Sequence, residues 1–278
     1  MEIYEKRGYL SENFKAFYLA DTTCKEIVYH YHDFDKIIYF ISGDVEYTIE
    51  GKTYLCKEKD FIFVPHGTLH KLNMLSKKPY ERIVIYLKPE YLRESNKDVD
   101  LGNCFDEVLK KECNVLHFPL TKTEELYTIL LTYKEEIEEK KFGQELLVQT
   151  IINEFLIQIN RAVLQEDVRY LPNHYENSKI SAICKYVNKY LHNDLSINEI
   201  SNALFISRYY LMHLFKKETG ETLASYISSK RLAFGRSLIC KGVPITEACY
   251  QCGYKEYSTF LRAYRKKYGE APKELRKK

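Results

Sequence analysis

Glycine and proline are scarce in this chain, at 11 and 7 of 278 residues. With 45% apolar residues, that scarcity excludes a low-complexity or disordered character and leaves a globular protein. No apolar run reaches about 18 residues, so nothing reads as a transmembrane helix. The opening MEIYEKRGYLSENF lacks the charged-then-apolar profile of a secretory leader. A soluble, cytoplasmic protein with no membrane partner is expected. No phosphate loop, Ser/His/Asp triad or paired-carboxylate motif has a recognisable context, which argues against an enzyme. Eight cysteines are present but scattered through apparent helices and strands, which suits reduced, buried thiols better than a disulfide framework. Cys249-x-x-Cys252 has no second pair at ligand spacing, and it too reads as buried thiols.

What the chain does have is an uneven charge and an internal repeat. The net charge of +3 hides a split: residues 175–278 carry 19 Lys+Arg against 9 Asp+Glu, and the remainder 23 against 30. A basic segment joined to an acidic one implies that only the former meets a polyanion. Within the basic segment, 195–222 and 243–272 say the same thing twice. At an offset of 48, Ile197 meets Ile245 and Glu199 meets Glu247. After one inserted residue, at an offset of 49, Leu211 meets Phe260, Phe215 meets Tyr264 and Gly220 meets Gly269. Each copy reads as a short helix, a tight turn, a longer helix and a glycine stop, the pattern of a helix-turn-helix.

Taken in order, residues 1–20 read as a short aromatic arm. From Cys24 to Leu87, short segments rich in β-branched and aromatic residues alternate with turn signals such as Ser42-Gly43-Asp44 and Glu50-Gly51-Lys52, predicting a sandwich or small barrel. A weakly patterned connection follows, with one short helix near Cys104–Lys111. Two helices come next, at about Lys122–Lys141 and Gln144–Glu166. Their stripes (Leu126, Leu130, Tyr133, Ile137; then Val148, Ile152, Phe155, Ile159, Val163) either cover the barrel or form a homodimer seam. Gln165–Asn177 reads as a linker. Beyond it, Ser196 and Glu199 form a capping box, Ser207 caps the first reading helix, and Gly253 makes the second turn. The expected architecture is multi-domain α+β: a β-barrel domain at 1–95, helical connection and possible dimerisation helices at 96–170, and an all-α domain with two helix-turn-helix units at 171–278.

Two resemblances refine this. His30-Tyr-His32, Lys36 and Gly43, followed by Pro65-His-Gly67-Thr-Leu-His70, resemble the two motifs of the cupins, which implies a jelly-roll barrel with a central cavity. His30 and His32 lie two apart on one strand and share a face. His30, His32, Lys36 and His70 are therefore candidate effector-binding residues. A metal is not expected, because Lys36 stands where metal-dependent cupins place a glutamate. Zinc on three histidines, or histidines that only hydrogen-bond within a packed barrel, are the alternatives. The tail is similar to the DNA-binding domain of the AraC/XylS regulators, on Ser207-x-x-Tyr210-Leu211-x-x-Leu214-Phe215-Lys216-Lys217, Tyr226-Ile227-x-x-x-Arg231-Leu232, Gly253-Tyr254, Ser258-x-Phe260 and Tyr264 to Pro272. A cupin-like half followed by two helices is also that family's common arrangement.

Subtracting core positions leaves a groove face on each reading helix. In the first, Leu211, Leu214 and Phe215 pack inward, and the resemblance places Tyr210 with them. Ser207, Arg208, Tyr209, Met212 and His213 then point outward, with Lys216 and Lys217 toward the DNA backbone. In the second, Glu256, Tyr257, Ser258, Leu261 and Arg262 point outward, flanked by Lys255, Arg265 and Lys266. Arginine forks onto guanine and glutamate accepts from cytosine, while lysines anchor phosphates. The expected function is a sequence-specific transcription regulator, an activator by the family's commoner outcome. Its expected partners are double-stranded DNA, a small-molecule effector of the sugar class, a second copy of itself through the barrel and the helices within 122–166, and RNA polymerase. A metal-dependent cupin enzyme with a DNA-binding tail, and a dimerising DNA-binding protein without effector, are the rivals.

Overall fold

The computed structural model describes residues 10, 12–22, 27–94, 99–138 and 141–275. Its strands are β1 (Phe14–Asp21), β2 (Ile27–His30), β3 (Asp35–Ser42), β4 (Val45–Ile49), β5 (Lys52–Leu55), β6 (Phe61–Val64), β7 (His70–Met74), β8 (Tyr80–Leu87), β9 (Val115–His117), β10 (Arg169–Tyr170) and β11 (Tyr175–Glu176). Its helices are α1 (Pro89–Glu94), α2 (Asn103–Lys110), α3 (Leu120–Glu138), α4 (Gln144–Leu164), α5 (Ser178–Tyr190), α6 (Ile197–Ala203), α7 (Arg208–Thr219), α8 (Leu223–Cys240), α9 (Ile245–Gln251), α10 (Tyr257–Tyr268) and α11 (Pro272–Leu275).

The strands form two antiparallel sheets, ordered β1-β8-β3-β6-β9-β10 and β11-β5-β4-β7-β2. They make an open jelly-roll-like sandwich rather than a closed barrel. Part of the expected N-terminal arm is β1, hydrogen-bonded along β8 from Phe14↔Leu87 to Asp21↔Tyr80; Tyr9 of that arm lies outside the described residues.

Strand β3 shows why the layers stack as they do. Alternate residues face opposite sides of a sheet, and β3 is apolar on both. Ile37 and Tyr39 join the helix-facing core with Phe61, Phe63, Leu126, Phe155 and Ile159, while Ile38 and Phe40 join the core between the sheets with Tyr47, Ile62, Leu72 and Val84. Each large apolar side chain so buried contributes roughly 1.5–3 kcal/mol. The α3 and α4 stripes therefore cover the six-stranded sheet: Leu126, Leu130, Tyr133, Ile152, Phe155, Ile159 and Val163 are buried there, and of the predicted stripe Ile137 alone is exposed. The linker segment is anchored at two points, β10 pairing with β9 and β11 with β5.

Beyond it, α5 to α11 build two helix-turn-helix units on two small cores, joined by α8. The caps fall where the sequence places them. Ser196 and Glu199 form a reciprocal capping box, Ser207 Oγ accepts from the Tyr210 amide at 3.2 Å, and Gly220 and Gly269 end α7 and α10 in left-handed backbone.

Candidate functional site

The first site lies between the sheets. His30 and His32 come from β2 and the segment after it, and His70 opens β7, directly opposite His30 in the ladder. The three rings stand 4.3 to 5.2 Å apart, centroid to centroid, and one nitrogen of each lies within 4.8 Å of the other two. His70 and His32 are buried, and His32 stacks on Phe34. Backbone carbonyls orient two of the rings: Nδ1 of His30 meets Val28 O and Nδ1 of His70 meets Thr68 O, both at 2.9 Å. A carbonyl can only accept, so each Nδ1 donates, and in a neutral ring Nε2 then carries the lone pair. Burial, and after it the Lys36 ammonium, push His32 and His70 well below the ordinary histidine range, so both rings are neutral. Among the described residues, the Nε2 atoms of His32 and His70 have no hydrogen-bond partner.

The cavity that His30 and His70 line with Lys36, Tyr47 and Arg82 measures about 20 Å³. That is room for one ion or one water, which needs roughly 10–15 Å³, and no sugar fits it without strand movement. The structure thus brings His30, His70 and Lys36 to one cavity, as the motifs predict, with His32 packed against both histidine rings. Arg82 and Tyr47 escaped sequence reasoning. The signal for Arg82 was a lone cation on the inward, otherwise apolar register of β8 that includes Val84. It is held by Asp21 at 2.6 Å and donates to Tyr80 O at 3.1 Å.

These residues also meet a test for metal. The orphaned Nε2 acceptors are imidazole nitrogens of the kind that zinc and similar ions take, and carbonyl-held Nδ1–H groups are the usual outer support of ligating histidines. Among the described residues no carboxylate joins the three-histidine group, and Lys36 and Arg82 oppose a bare cation.

The opposite face of the histidine strand meets the helical half of the chain. Tyr29 and Leu69 belong to the core built from α5, α7 and α8, and Tyr31 hydrogen-bonds Ser229 of α8 at 2.7 Å. Beside them the β4–β5 turn carries Glu50. Its carboxylate accepts from Tyr226 at 2.9 Å and Asn188 at 2.7 Å and pairs with Lys230. Gly51 follows in left-handed backbone, and an added Cβ there would lie 2.6 Å from the Ser181 amide of α5. A further ion pair joins Glu90 of α1 to Arg236 of α8.

The second site is the pair of reading helices. Ser207, Arg208, Tyr209, Met212, His213, Lys216 and Lys217 are all exposed on or beside α7, and Lys255, Glu256, Ser258, Arg262, Arg265 and Lys266 on or beside α10. Tyr257 differs, being half-buried against the second helical core. Tyr210 differs the other way. Expected inside, it is 39% exposed and its hydroxyl accepts from Lys179 at 2.6 Å. Leu211 and Phe215 already fill the core one turn apart, which leaves no inward slot for it. Lys255 pairs with Asp194 across the surface. Cys249 and Cys252 are buried free thiols.

The family described as "AraC-like ligand binding domain" matches residues 17–156, and a family described as "Helix-turn-helix domain" matches 200–278. The "Probable transcriptional regulator LumQ" of Photobacterium leiognathi is 25% identical over 256 residues, covering 91% of this chain and 93% of that protein. The "Uncharacterized HTH-type transcriptional regulator YbfI" of Bacillus subtilis is 21% identical over 238 residues, covering 82% and 79%. Among solved structures, apo ToxT from Vibrio cholerae, in a single-residue variant, aligns with a TM-score of 0.40 at 14% identity, over 95% of this chain and 97% of that one.

Proposed function

This chain belongs to the AraC family of transcriptional regulators, with a ligand-binding half and a DNA-binding half, and we propose that a small, hydroxylated, acidic metabolite of the sugar-acid class sets its activity as an activator. One observation carries the reading. The histidine strand lines the effector cavity with one face and rests Tyr29 and Tyr31 on the DNA-binding half with the other.

The chemistry of the cavity selects the effector. Neutral Nε2 acceptors call for hydroxyl donors, and Lys36 and Arg82 call for an anion. Any ligand much larger than a single water or ion must move a wall. Strand β2 is the wall held least firmly, since among the described residues it pairs with β7 alone and with a register irregularity. Displacing β2 displaces Tyr29 and Tyr31, and with them the seat of α7 and α8. A ligand that binds the two arrangements unequally shifts their balance.

The protein acts on duplex DNA as a non-enzyme in the cytoplasm and meets RNA polymerase at its promoters. It pairs with a second copy through the tip of the α3–α4 hairpin, where Ile137, Phe142, Leu146 and Leu147 are exposed, Phe142 completely. The test is selection of bound sequences from a random duplex pool by the purified protein, with neutral sugars and sugar acids added in parallel. An enriched motif whose occupancy changes with sugar acids alone is the expected result. No enrichment removes the regulator reading, and a response to neutral sugars alone removes the proposed effector chemistry.

A further inference from the structure

Resting on the reading of α7 and α10 as the two groove helices, we propose that Tyr209 and Met212 set the base preference of the first unit by apolar contact with thymine methyl groups. The operator then has a thymine-rich half beneath α7, and a guanine beneath Arg262 of α10 in the other half.

The repeat allows the two faces to be compared position by position. At an offset of 49, Tyr209, Met212 and His213 of α7 stand where α10 has Ser258, Leu261 and Arg262. Residues three and four apart share a helix face, so each trio forms one patch. Lys216–Lys217 and Arg265–Lys266 continue the two patches by one turn. The frames behind them are alike, with Leu211 and Phe215 buried where α10 buries Phe260 and Tyr264. What differs is the chemistry each face offers to a groove.

On α7 that chemistry is apolar. Tyr209 is 76% exposed and Met212 is 37% exposed. The Tyr209 and His213 rings lie nearly parallel, 9° between planes and 6.0 Å between centroids, and make one flat plate beside the Met212 thioether. None of the three presents the fork of arginine or the amide pair of asparagine and glutamine, which recognise guanine and adenine bidentately. The apolar feature of the major groove is the C5-methyl of thymine. A rigid ring and an adaptable thioether suit contact with it. The fork that α7 does carry, Arg208, occupies the position at which α10 turns Tyr257 against its own core, so it stands at the margin of the face, where phosphates lie. The lysines on the same face select a polyanion as the occupant rather than an apolar protein surface. On α10, Ser258 is short and Leu261 is half-buried against the core, which leaves Arg262 to reach a base edge.

The experiment uses the full-length protein and the duplex it enriches from a random pool. Each thymine is replaced in turn by deoxyuridine, which removes the methyl and keeps every hydrogen-bonding group. Each guanine is replaced by 7-deazaguanine, which removes the N7 acceptor. We expect deoxyuridine to weaken binding by about 4-fold for each contacted methyl, at neighbouring positions in one half of the site, and 7-deazaguanine to weaken it in the other half. The double variant Tyr209→Ala, Met212→Ala should bind thymine and uracil duplexes equally. Tyr209→Phe should keep the preference, because the ring and not the hydroxyl makes the contact. Arg262→Ala should lose the sensitivity to 7-deazaguanine and keep that to deoxyuridine. A deoxyuridine scan without effect overturns the proposal, as does a methyl preference that survives in the double variant or vanishes in Tyr209→Phe or Arg262→Ala. Circular dichroism checks the fold of each variant; should the double variant misfold, the scan on the parent and on Tyr209→Phe still decides. No enriched duplex at all removes the DNA-binding reading together with this one, whereas an enriched duplex indifferent to uracil removes this one alone.

Discussion

Arg262 and Lys217 carry the same charge on the exposed faces of two reading helices, and they should fail in different ways. Arg262 stands exposed in the second turn of α10, on the face proposed to enter the groove, reaching Thr259 Oγ1 at 3.5 Å. Replacing it with alanine should cost about 1–3 kcal/mol of discrimination at one base pair and leave random duplex binding nearly unchanged. Lys217 lies near the end of α7, where the proposed docking sets a cation against phosphate. Lys217→Ala should weaken all duplexes alike and lower the salt slope by about 1. Titration of both variants against operator and scrambled duplexes at several salt concentrations separates them; equal losses on both DNAs for both variants would sink the assignment. The outward set was legible because it is what remains after the apolar period is removed. Tyr210 and Tyr257 were not, since tyrosine satisfies a core or a surface equally, and only the space left by Leu211 and Phe215 decides.

Phe205 and Gly253 occupy the same turn position in the two repeats, and both adopt positive φ, 54° and 90°. Gly253 needs its missing side chain, because a Cβ would lie 2.6 Å from Leu191 O and 2.8 Å from Arg231 Nε. Phe205 is 95% exposed and gains no packing for a strained backbone. Left-handed backbone costs an ordinary residue about 1–2 kcal/mol. Phe205→Gly should therefore raise the stability of the protein by about 1 kcal/mol, whereas Gly253→Ala should lower it by more than about 1 kcal/mol. Thermal unfolding with circular dichroism checks both; a stabilised Gly253→Ala would contradict the crowded turn.

At the scale of elements, strand β2 and the β4–β5 turn connect the two halves. The HYH spacing made the alternation of β2 readable, yet nothing in the sequence said that its other face would rest on helices almost 200 residues away, as Tyr31 does on Ser229. Glu50 was less legible still, being a residue of a turn dipeptide whose partners Asn188, Tyr226 and Lys230 come from α5 and α8. Pairings at that sequence distance leave no local period. Lys230 is 9% exposed, and removing one member of a buried pair strands the other, at roughly 3–5 kcal/mol. Glu50→Ala should uncouple the halves, so that one unfolding transition becomes two in calorimetry and the Gln165–Asn177 segment becomes open to proteases. A single, merely lowered transition would mean that the turn stabilises its own sheet and not the contact.

Over the whole molecule, the contact between the halves should respond to alkaline pH through Lys267. Its ammonium lies over the rings of Tyr31 and Tyr268 and donates to Ser229 O at 2.9 Å, so it sits where α8, α10 and the histidine strand meet. Burial lowers its pKa from the usual lysine range to about 8, against the pull of the Asp33 and Glu221 carboxylates and with the push of Arg236. The sign follows from proton counting. Below pH 8 the lysine is charged in both folded and unfolded chains, and the folded state bears the cost of burying the charge. Between about 8 and 10.5 the unfolded chain holds the proton that the folded one has released, so the lysine's own contribution to stability rises with pH in that window. Arg236 is held above its ordinary range and does not titrate there. Burial also raises Tyr31 and Tyr268, whose contributions fall with pH above their unfolded range, so the lysine is read from the difference between the parent and a variant lacking it. Lys267→Met should be more stable than the parent at pH 7 and should lose that rise. Urea unfolding of both proteins from pH 7 to 10.5 gives the difference. Parallel stability curves would show that the lysine reaches water and that the seat of α10 against the histidine strand is looser than the packing around it implies.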